Sequence, residues 1–541
     1  MGTAFSTDLN RYPYPSQRMP VLAPRGIVAT SQPLAAQAGL SVLQDGGNAV
    51  DAALATAITL TVVEPTSNGI GGDAFALVWD RRRLHGLNGS GRAPRGATVA
   101  ALRAAGHQQI PERGWWPVTA PGAPRAWADL HNRFGRLPFS KVFEPAIHYA
   151  EHGFPVSPIT AQAWDRAATV TFAACVGPEF GPWYETFAPG GRAPSAGDCW
   201  RSECHAATLG RIAQSNAREF YEGDIAASIA AFAAETGGTI TADDLAAHTS
   251  TWVEPIMASY RGCELWEIPP NGQGIAALMA LNILEGLDLK SYLRDSVESY
   301  HLQIEAMKLA LADARRYVAD PEHAPVPIRE VLAPGYAADR RRLIGDEALD
   351  PGPGEPPAGG TVYLCAADSD GMMVSYIQSN YMGFGSGVVV PNTGIALHNR
   401  GYGFTLEEGH PNQLAPGKRP FHTIIPGFLT REGNPVGPFG VMGAWMQAQG
   451  HVQVMVNTLD FGLNPQAALD APRWRCDKGR TVMVEKGTDT VIVEGLRAHG
   501  HDVEVHEIDA TFGRGQIIWR LPSGAYVAAS DKRADGCAVG F

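Results

Sequence analysis

The sequence has no excess of basic residues. Its 541 residues include 43 lysines and arginines against 55 aspartates and glutamates, which gives a formal net charge of −12. An acidic protein repels the phosphates of nucleic acids and of anionic membranes. The most apolar stretch, residues 49–63, is interrupted by Asp51 and is too short to cross a bilayer. We therefore expect neither a nucleic-acid partner nor a membrane partner.

Cysteine is also scarce. Seven cysteines lie scattered through the chain, and this odd number does not indicate a disulfide framework. Residues 1–20 lack the basic stretch, the apolar core and the small-residue cleavage site of a secretory signal. Together these observations predict a cytoplasmic protein.

Metal-binding and nucleotide-binding motifs are missing as well. Residues 148–152 contain two histidines, but the glutamate between them is misplaced for a zinc-protease helix. The cysteines and histidine of residues 199–205 match no zinc spacing. The glycine-rich stretch 69–72 matches neither the dinucleotide fingerprint nor the phosphate loop. We predict no metal and no cofactor.

Glycine and proline, in contrast, are abundant, with 61 and 40 residues. No Gly-X-Y period accompanies them, so they indicate turns and close backbone approaches. With 45% hydrophobic and 18% charged residues, the chain can bury a large core. Its length corresponds to two or three domain-sized units or to one elaborated domain.

Helical periodicity runs over residues 33–64 and is broken once, by a pair of glycines. Asn48 follows the break at the position of a helix N-cap, with Asp51 in the first turn. We predict two helices, then a glycine-rich loop and a strand over 74–79. The middle of the chain, roughly 120–345, is predicted to be mainly helical.

Residues 347–360 contain four prolines and have no apolar periodicity. This composition predicts an exposed, flexible segment. A hairpin is predicted to follow, with strands over 361–367 and 372–379 joined by a tight turn. A further strand pair is predicted around 516–529.

The junction of Gly360 and Thr361 is the most informative feature. A threonine at the head of a strand is usually only a β-former, but this one follows an exposed segment that ends in Gly-Gly. A threonine hydroxyl is a weak nucleophile unless a base lies beside it, and a cut before the threonine frees its own α-amine as that base. Because Gly360 leaves its carbonyl open to the Thr361 hydroxyl, self-cleavage by an N-to-O acyl shift fits this junction.

Further short stretches of the sequence form a recognisable series. They are 46–53, 64–65, 69–73, 120–122, 270–274, 360–361, 385–387, 417–420 and 531–536. Together, and in this order, they resemble the γ-glutamyltransferase family of N-terminal-nucleophile (Ntn) hydrolases, and the resemblance covers residues 24–541.

The resemblance implies an α+β fold, a four-layer αββα sandwich assembled from two chains after self-cleavage. Residues 1–360 would form a larger, mainly helical subunit with N-terminal strands of the sandwich, and residues 361–541 a smaller subunit with the nucleophile. The Thr361 hydroxyl would attack an amide, its amine would act as base, and water or an amine would resolve the acyl-enzyme. No cofactor is implied, and whether two such units form a dimer is left open.

The resemblance also assigns supporting residues by position. Ser379 takes the place of a hydroxyl that hydrogen-bonds the nucleophile, and a plain strand serine is the alternative interpretation. Asn399 falls in the loop 398–404, which lines the substrate pocket. Gly443 and Ala444 take the place of the paired glycines of the oxyanion hole. Backbone N–H groups still serve there if the backbone angles permit an alanine.

Three departures from the family pattern concern the substrate. The arginine that holds the substrate α-carboxylate is replaced by Ser90, with Arg92 two residues further on. The loop 400–403, where the family holds the α-ammonium with an aspartate, contains Arg400 and no acid. The family's serine pair is replaced by His422-Thr423. We include Arg92, Arg400, His422 and Thr423 among the candidate substrate-binding residues.

These departures leave several functions open. A buried, unpaired ammonium beside Arg400 is costly, which favours an anionic acyl donor without the amine, as in the family's oxamate amidohydrolase and glutaryl-type acylases. A γ-glutamyl, glutathione-like substrate is the alternative, with transfer to water or to an amine. A non-catalytic scaffold is the alternative of another class, but a scaffold has no reason to retain Gly360-Thr361.

Overall fold

Two seven-stranded β-sheets lie face to face at the centre of the protein. The computed structural model describes residues 17–351, 360–507 and 509–541. The strands of the described chain are β1 (Val21–Ala23), β2 (Ile27–Thr30), β3 (Asp73–Trp79), β4 (Leu84–Asn88), β5 (Phe154–Pro155), β6 (Cys199–Trp200), β7 (Thr251–Val253), β8 (Ile256–Tyr260), β9 (Cys263–Glu267), β10 (Gly360–Ala367), β11 (Met373–Tyr381), β12 (Gly427–Arg431), β13 (Asn434–Met442), β14 (Trp474–Cys476), β15 (Thr481–Glu485), β16 (Asp502–His506), β17 (Arg514–Arg520), β18 (Tyr526–Ser530) and β19 (Cys537–Gly540).

The order of the strands mixes early and late parts of the chain. The first sheet has the order β1-β18-β17-β13-β12-β9-β8, and the second sheet has the order β19-β2-β10-β11-β3-β4-β7. Neighbouring strands in both sheets are antiparallel. Strands β14 to β16 form a small third sheet, and β5 pairs with β6. The strand pair predicted around 516–529 is confirmed as β17 and β18.

Helices cover the outer faces of both large sheets. The α-helices of the described chain are α1 (Pro33–Gln44), α2 (Ala49–Val63), α3 (Val99–Ala104), α4 (Ala123–Phe134), α5 (Glu144–His152), α6 (Pro158–Arg166), α7 (Gly181–Phe187), α8 (Glu203–Ser215), α9 (Arg218–Glu222), α10 (Asp224–Thr236), α11 (Ala242–Ala246), α12 (Gly274–Glu285), α13 (Val297–Tyr317), α14 (Ile328–Val331), α15 (Pro334–Arg341), α16 (Met446–Leu459), α17 (Pro465–Asp470) and α18 (Thr490–Ala498).

The order of helix and sheet layers follows from the apolar faces of the two large sheets. Helices α1, α2 and α4 pack on the second sheet, and α12 and α16 pack on the first sheet. Between the sheets, Phe75, Tyr363 and Ile377 of the second sheet meet Phe428 and Ile518 of the first in one buried cluster. The predicted α+β architecture, an αββα sandwich, is confirmed.

The predicted break between the first two helices is confirmed, and its cause is local. Asn48 caps α2 by accepting from the N–H groups of Val50 and Asp51, while the Asp51 carboxylate accepts from Asn48 N–H. Every residue of α2 is buried, which explains the most apolar stretch of the sequence. Among the described residues, no helix is long and apolar enough to cross a membrane.

The prediction of a mainly helical middle region missed five strands, of which β5 and β6 pair with each other. Strands β7, β8 and β9 lie within residues 251–267, and they add edge strands to both sheets. Arg261 and Gly262, both with positive φ, join β8 to β9 in a tight hairpin. Alternation over at most five residues per strand is easily hidden by helical patterns on either side.

The hairpin predicted after residue 360 is confirmed as β10 and β11. The flexible segment predicted over 347–360 lies largely outside the described residues, which stop at residue 351 and resume at Gly360. Both large sheets contain strands from before and after this junction. The predicted division into residues 1–360 and 361–541 would therefore leave two interleaved chains.

Candidate active site

The hairpin of β10 and β11 has an irregular register at Thr361. Gly360 pairs with Tyr381, but Val362 pairs with Gln378, so two residues of β11 stand opposite one residue of β10. Such a bulge bends a strand and re-aims its side chains, and bulges are common beside active sites. Tyr381 has a φ of 73°, a strained conformation for a residue other than glycine.

The hydroxyl of Thr361 contacts a second hydroxyl. Thr361 Oγ1 lies 3.0 Å from Ser379 Oγ, which accepts a hydrogen bond of 2.7 Å from the Tyr381 N–H. Both hydroxyl side chains are buried. Because Ser379 Oγ already accepts from the backbone, its hydrogen can donate to Thr361 Oγ1. The structure thus brings these two predicted residues together, and a catalytic role for Ser379 stays a prediction.

A buried carboxylate lies opposite Ser379 on the next strand. Asp73 of β3 is the register partner of Ser379, and its carboxylate accepts from Arg400 Nε at 2.8 Å and Nη2 at 3.2 Å. His422 Nε2 lies 2.8 Å and His398 Nδ1 lies 3.2 Å from Asp73 Oδ2. Burial would raise the pKa of Asp73, but Arg400 and the histidines outweigh it and hold that pKa well below its ordinary range. Asp73 is therefore an anion.

Arg400 is paired with a carboxylate that lies outside the loop 400–403. Its guanidinium pairs with Asp73, donates from Nη1 to Thr423 Oγ1 at 2.8 Å and lies 4.3 Å from the Tyr381 ring centroid. Burial and then the charge of Arg400 lower the pKa of His422 to about 4, so His422 is neutral near pH 7. The charges of Asp73 and Arg400 cancel. The charge of Arg400 alone is therefore no longer a reason to exclude a substrate ammonium from the site.

Gly443 and Ala444 form the turn between β13 and α16. Their φ angles are 136° and 53°, so Ala444 adopts the left-handed region that glycine favours. In the part of the chain that the structure describes, neither N–H donates to a backbone or side-chain acceptor. Gln273 Nε2 donates to the carbonyl oxygens of Ala444 at 2.8 Å and of Thr423 at 2.6 Å. This bond ties the turn to the residues around Asp73, and the oxyanion role of the turn stays a prediction.

Asn399 supports the loop that follows β11. Its Oδ1 accepts from the Met382 N–H at 3.1 Å, and its Nδ2 donates to the Glu112 carbonyl at 2.9 Å. Arg113, which follows Glu112 in the sequence, donates from Nη1 to three carbonyl groups of the loop after β11. These contacts hold Asn399 beside the end of β11, and its contact with substrate stays a prediction.

Arg92 is engaged elsewhere. Its Nη2 donates to both carboxylate oxygens of Glu322 at 2.9 Å, and its Nη1 donates to the Gly417 carbonyl at 3.1 Å and lies 3.5 Å from Asp320 Oδ2. Its side chain is 31% exposed. Within the described residues, Arg92 contacts neither Asp73 nor Thr361, so its predicted substrate contact gains no support from its position.

Sequence reasoning missed four residues of this site. They are Asp73, Gln273, Tyr381 and His398. Asp73 and Gln273 lie inside motifs of the sequence, where an acid directly after Gly-Gly and an amide before a helix were the available signals. Tyr381 and His398 gave no such signal, because their places depend on the bulge and on a long loop.

One buried cluster of the described chain has residues of the types that bind metals. The ligand atoms of His301, Glu305 and His501 lie within 4.8 Å of one another. Lys308 Nζ lies 2.9 Å from Glu305 Oε1 and 3.3 Å from His501 Nδ1. His301 bonds His501 at 2.9 Å and the Gly345 carbonyl at 2.8 Å. The lysine supplies positive charge inside the cluster, and we assign no metal to it.

Comparison with known protein families shows to which family this chain belongs. A family model described as gamma-glutamyltranspeptidase matches residues 35–541. The chain belongs to this family. The resemblance found in the sequence is thereby confirmed, and the chain is an enzyme of the Ntn-hydrolase class with the corresponding sandwich fold.

Three similar proteins have different names. The crystal structure of a cephalosporin acylase from Bacillus halodurans has a TM-score of 0.96 and 54% identity, covering 99% of both chains. A glutathione hydrolase-like YwrD proenzyme of Bacillus subtilis is 35% identical over 96% of this chain and 99% of its own length. An oxamate amidohydrolase proenzyme of Klebsiella pneumoniae is 33% identical over 95% and 98%.

Proposed function

We propose that this chain is the precursor of an N-terminal-threonine amidohydrolase that cuts itself between Gly360 and Thr361. The observation that carries the proposal is the contact of 3.0 Å between the hydroxyls of Thr361 and Ser379, buried at a bulge. Two of the similar proteins are named proenzymes, which supports the processing of a precursor. The N–H groups of Gly443 and Ala444 would hold the oxyanion.

The proposed cut begins when Thr361 Oγ1 attacks the carbonyl carbon of Gly360. The C–N bond breaks, an ester joins the two residues, and the hydroxyl proton passes to the leaving amine. Water then hydrolyses the ester, so that Gly360 ends in a carboxylate and Thr361 has a free amine. In turnover this amine takes the Oγ1 proton, the substrate amide nitrogen leaves with a proton, and water hydrolyses the acyl-enzyme.

The acyl group of the proposed substrate lacks an α-ammonium. Asp73 and Arg400 satisfy each other, and loop 400–403 offers no further acid. An ammonium bound there would be desolvated without a carboxylate of its own. The high identity to a protein named a cephalosporin acylase, and the similarity to an oxamate amidohydrolase, support an amide substrate of this kind.

The test compares the wild-type protein with Thr361→Ala. Intact masses under denaturing conditions should show two wild-type fragments, divided after Gly360, whose masses sum to the chain plus one water. The variant should remain one chain. A single chain in both proteins would contradict the proposal and favour the scaffold.

The same two proteins are assayed with glutaryl anilide and γ-glutamyl anilide, which differ only in the α-amino group. We expect wild-type kcat/KM to be higher for the glutaryl compound and the variant to be inactive. A higher kcat/KM for the γ-glutamyl compound would contradict the proposed acyl group while leaving the nucleophile intact. Ammonia release from oxamate would extend the test to the smallest acyl donor.

A further inference from the structure

We propose that the ion pair between Asp73 and Arg400 determines the acyl preference, because Arg400 withholds from substrate the Asp73 carboxylate, which could otherwise bind an α-ammonium. This inference rests on the proposed function, since it explains the preference stated there. It makes Arg400 and Asp73 specificity-determining residues and gives neither of them a part in the bond-breaking step.

The position of Asp73 brings it into the range of an acyl group on Thr361. Asp73, Ser379 and Thr361 occupy three adjacent strands, and neighbouring strands are about 4.8 Å apart, so the row spans roughly 10 Å. Asp73 and Ser379 are register partners and share a face. Phe75, two residues after Asp73, lies in the cluster between the sheets. All three side chains therefore face the layer between the two sheets.

Arg400 occupies the positions that a substrate ammonium would need. It contacts both carboxylate oxygens of Asp73 and lies over Tyr381, the residue at the end of the bulge. The other two groups on the carboxylate are the imidazoles of His398 and His422. Without Arg400, the carboxylate keeps only these imidazoles, and the site acquires an unmatched negative charge.

The charge state of His422 decides the conditions of the test. The positive charge of Arg400 contributes to the lowered pKa of His422, so removal of Arg400 lets this imidazole bind a proton more readily. A protonated His422 would replace Arg400 as the partner of Asp73. Assays at pH 8, where protonation is less favoured than at pH 6, leave the carboxylate open to a substrate ammonium.

The test measures the ratio of kcat/KM for glutaryl anilide to kcat/KM for γ-glutamyl anilide. Arg400→Met should shift this ratio about 10- to 100-fold toward the γ-glutamyl compound at pH 8, as expected for a gained charge-assisted hydrogen bond. The shift should be smaller at pH 6. Arg400→Lys keeps the positive charge and should keep the wild-type ratio.

The double variant Arg400→Met with Asp73→Asn provides the matched control. It has no carboxylate to expose, so its ratio should return toward that of the wild type. If Arg400→Met and Arg400→Lys lower both substrates by the same factor and leave the ratio unchanged, the pair is only structural and the inference is overturned.

Two measurements separate this inference from the proposed function and from misfolding. A wild-type preference for the γ-glutamyl compound contradicts the proposed function, whereas the direction of the Arg400→Met shift tests the inference alone. Fragment masses and thermal midpoints show whether each variant folds and cuts itself. If Arg400→Met fails to mature, Arg400→Gln, which retains an amide donor but no charge, supplies the ratio.

Discussion

At the residue scale, Glu64 is a buried ionisable residue that lies within a sequence motif. It belongs to the Glu64-Pro65 pair of the family-like N-terminal stretch, and its side chain is only 2% exposed. Ser31 Oγ donates to its carboxylate, and Arg514 Nη1 lies 3.7 Å away. Burial, opposed by Arg514, raises the pKa of Glu64 from 4.5 to about 7.

This raised pKa predicts a dependence of stability on pH. Between pH 4.5 and about 7 the folded protein binds more protons at Glu64 than the unfolded chain does, so the free energy of unfolding falls as pH rises through this window. Glu64→Gln cannot ionise and still offers an acceptor to Ser31. The free energy of unfolding of this variant, relative to that of the wild type, should therefore increase as pH rises, by on the order of 3 kcal/mol at most.

Thermal midpoints of the wild type and Glu64→Gln at pH 5 and pH 8 measure this effect. The difference in midpoint should grow in favour of the variant at pH 8. Glu235→Gln, at an exposed glutamate of α10, is the matched control that removes a charge from the surface. A midpoint difference that is the same at both pH values would show that Glu64 is not protonated in the folded protein.

The candidate site could be predicted residue by residue only in part. Thr361 was found from a junction in composition, and Ser379 was assigned by its position in the resemblance to the family. The partner of Arg400 could not be found in this way, since Asp73 lies 327 positions earlier and meets it only through strand register and a loop. Charge compensation between distant segments is a property of the fold, and local sequence patterns do not encode it.

At the scale of elements, β13 of the first sheet packs closely against β10 of the second sheet. A Cβ atom added to Gly440 would lie 2.5 to 2.7 Å from three ring atoms of Tyr363, whose hydroxyl bonds Ser375 Oγ at 2.7 Å. Tyr363 is two residues from Thr361. Glycine at this position therefore lets the strand that carries the nucleophile lie against the opposite sheet.

Gly440→Ala should accordingly weaken the packing of β10. Overpacking of this kind typically costs about 1–3 kcal/mol, and we expect a lower thermal midpoint together with slower self-cleavage. Gly210→Ala on α8 is the control, because nothing lies within 4 Å of its added Cβ and alanine favours a helix. Equal midpoints for the two variants would show that the sheets move apart without cost.

Elements with strong local signals were predicted well. The break before α2 was predicted from a capping residue after two glycines, and the hairpin of β10 and β11 from a tight turn between apolar runs. The short strands β7 to β9 were not predicted, because a strand of three to five residues gives little alternation and owes its existence to pairing with distant strands. Sheet order in both large sheets is likewise set by tertiary packing.

At the scale of the whole molecule, the proposed cut would give two chains that both contribute strands to each of the large sheets. In the first sheet, β12 lies beside β9, and in the second sheet β10 and β11 lie between β2 and β3. Strands from before residue 360 are thus hydrogen-bonded to strands from after it at several places in both sheets. The two products of the cut should remain one particle under native conditions.

Refolding provides the test of this arrangement. After denaturation, the cut protein must bring two chains together, so its refolding rate should rise with protein concentration. The uncut Thr361→Ala precursor folds as one chain, and its rate should not depend on concentration. Fluorescence-monitored refolding over a tenfold range of concentration measures both, and concentration-independent refolding of the cut protein would argue against interleaved chains.

The interleaving of the sheets also determines what limits the lifetime of the mature protein. Before the cut, an unfolded molecule can return to the native state on its own, and the populations are set by an equilibrium. After the cut, each complete unfolding event releases two partners that are diluted away from each other. The persistence of the mature protein then depends on the height of its unfolding barrier, so its stability becomes kinetic rather than thermodynamic.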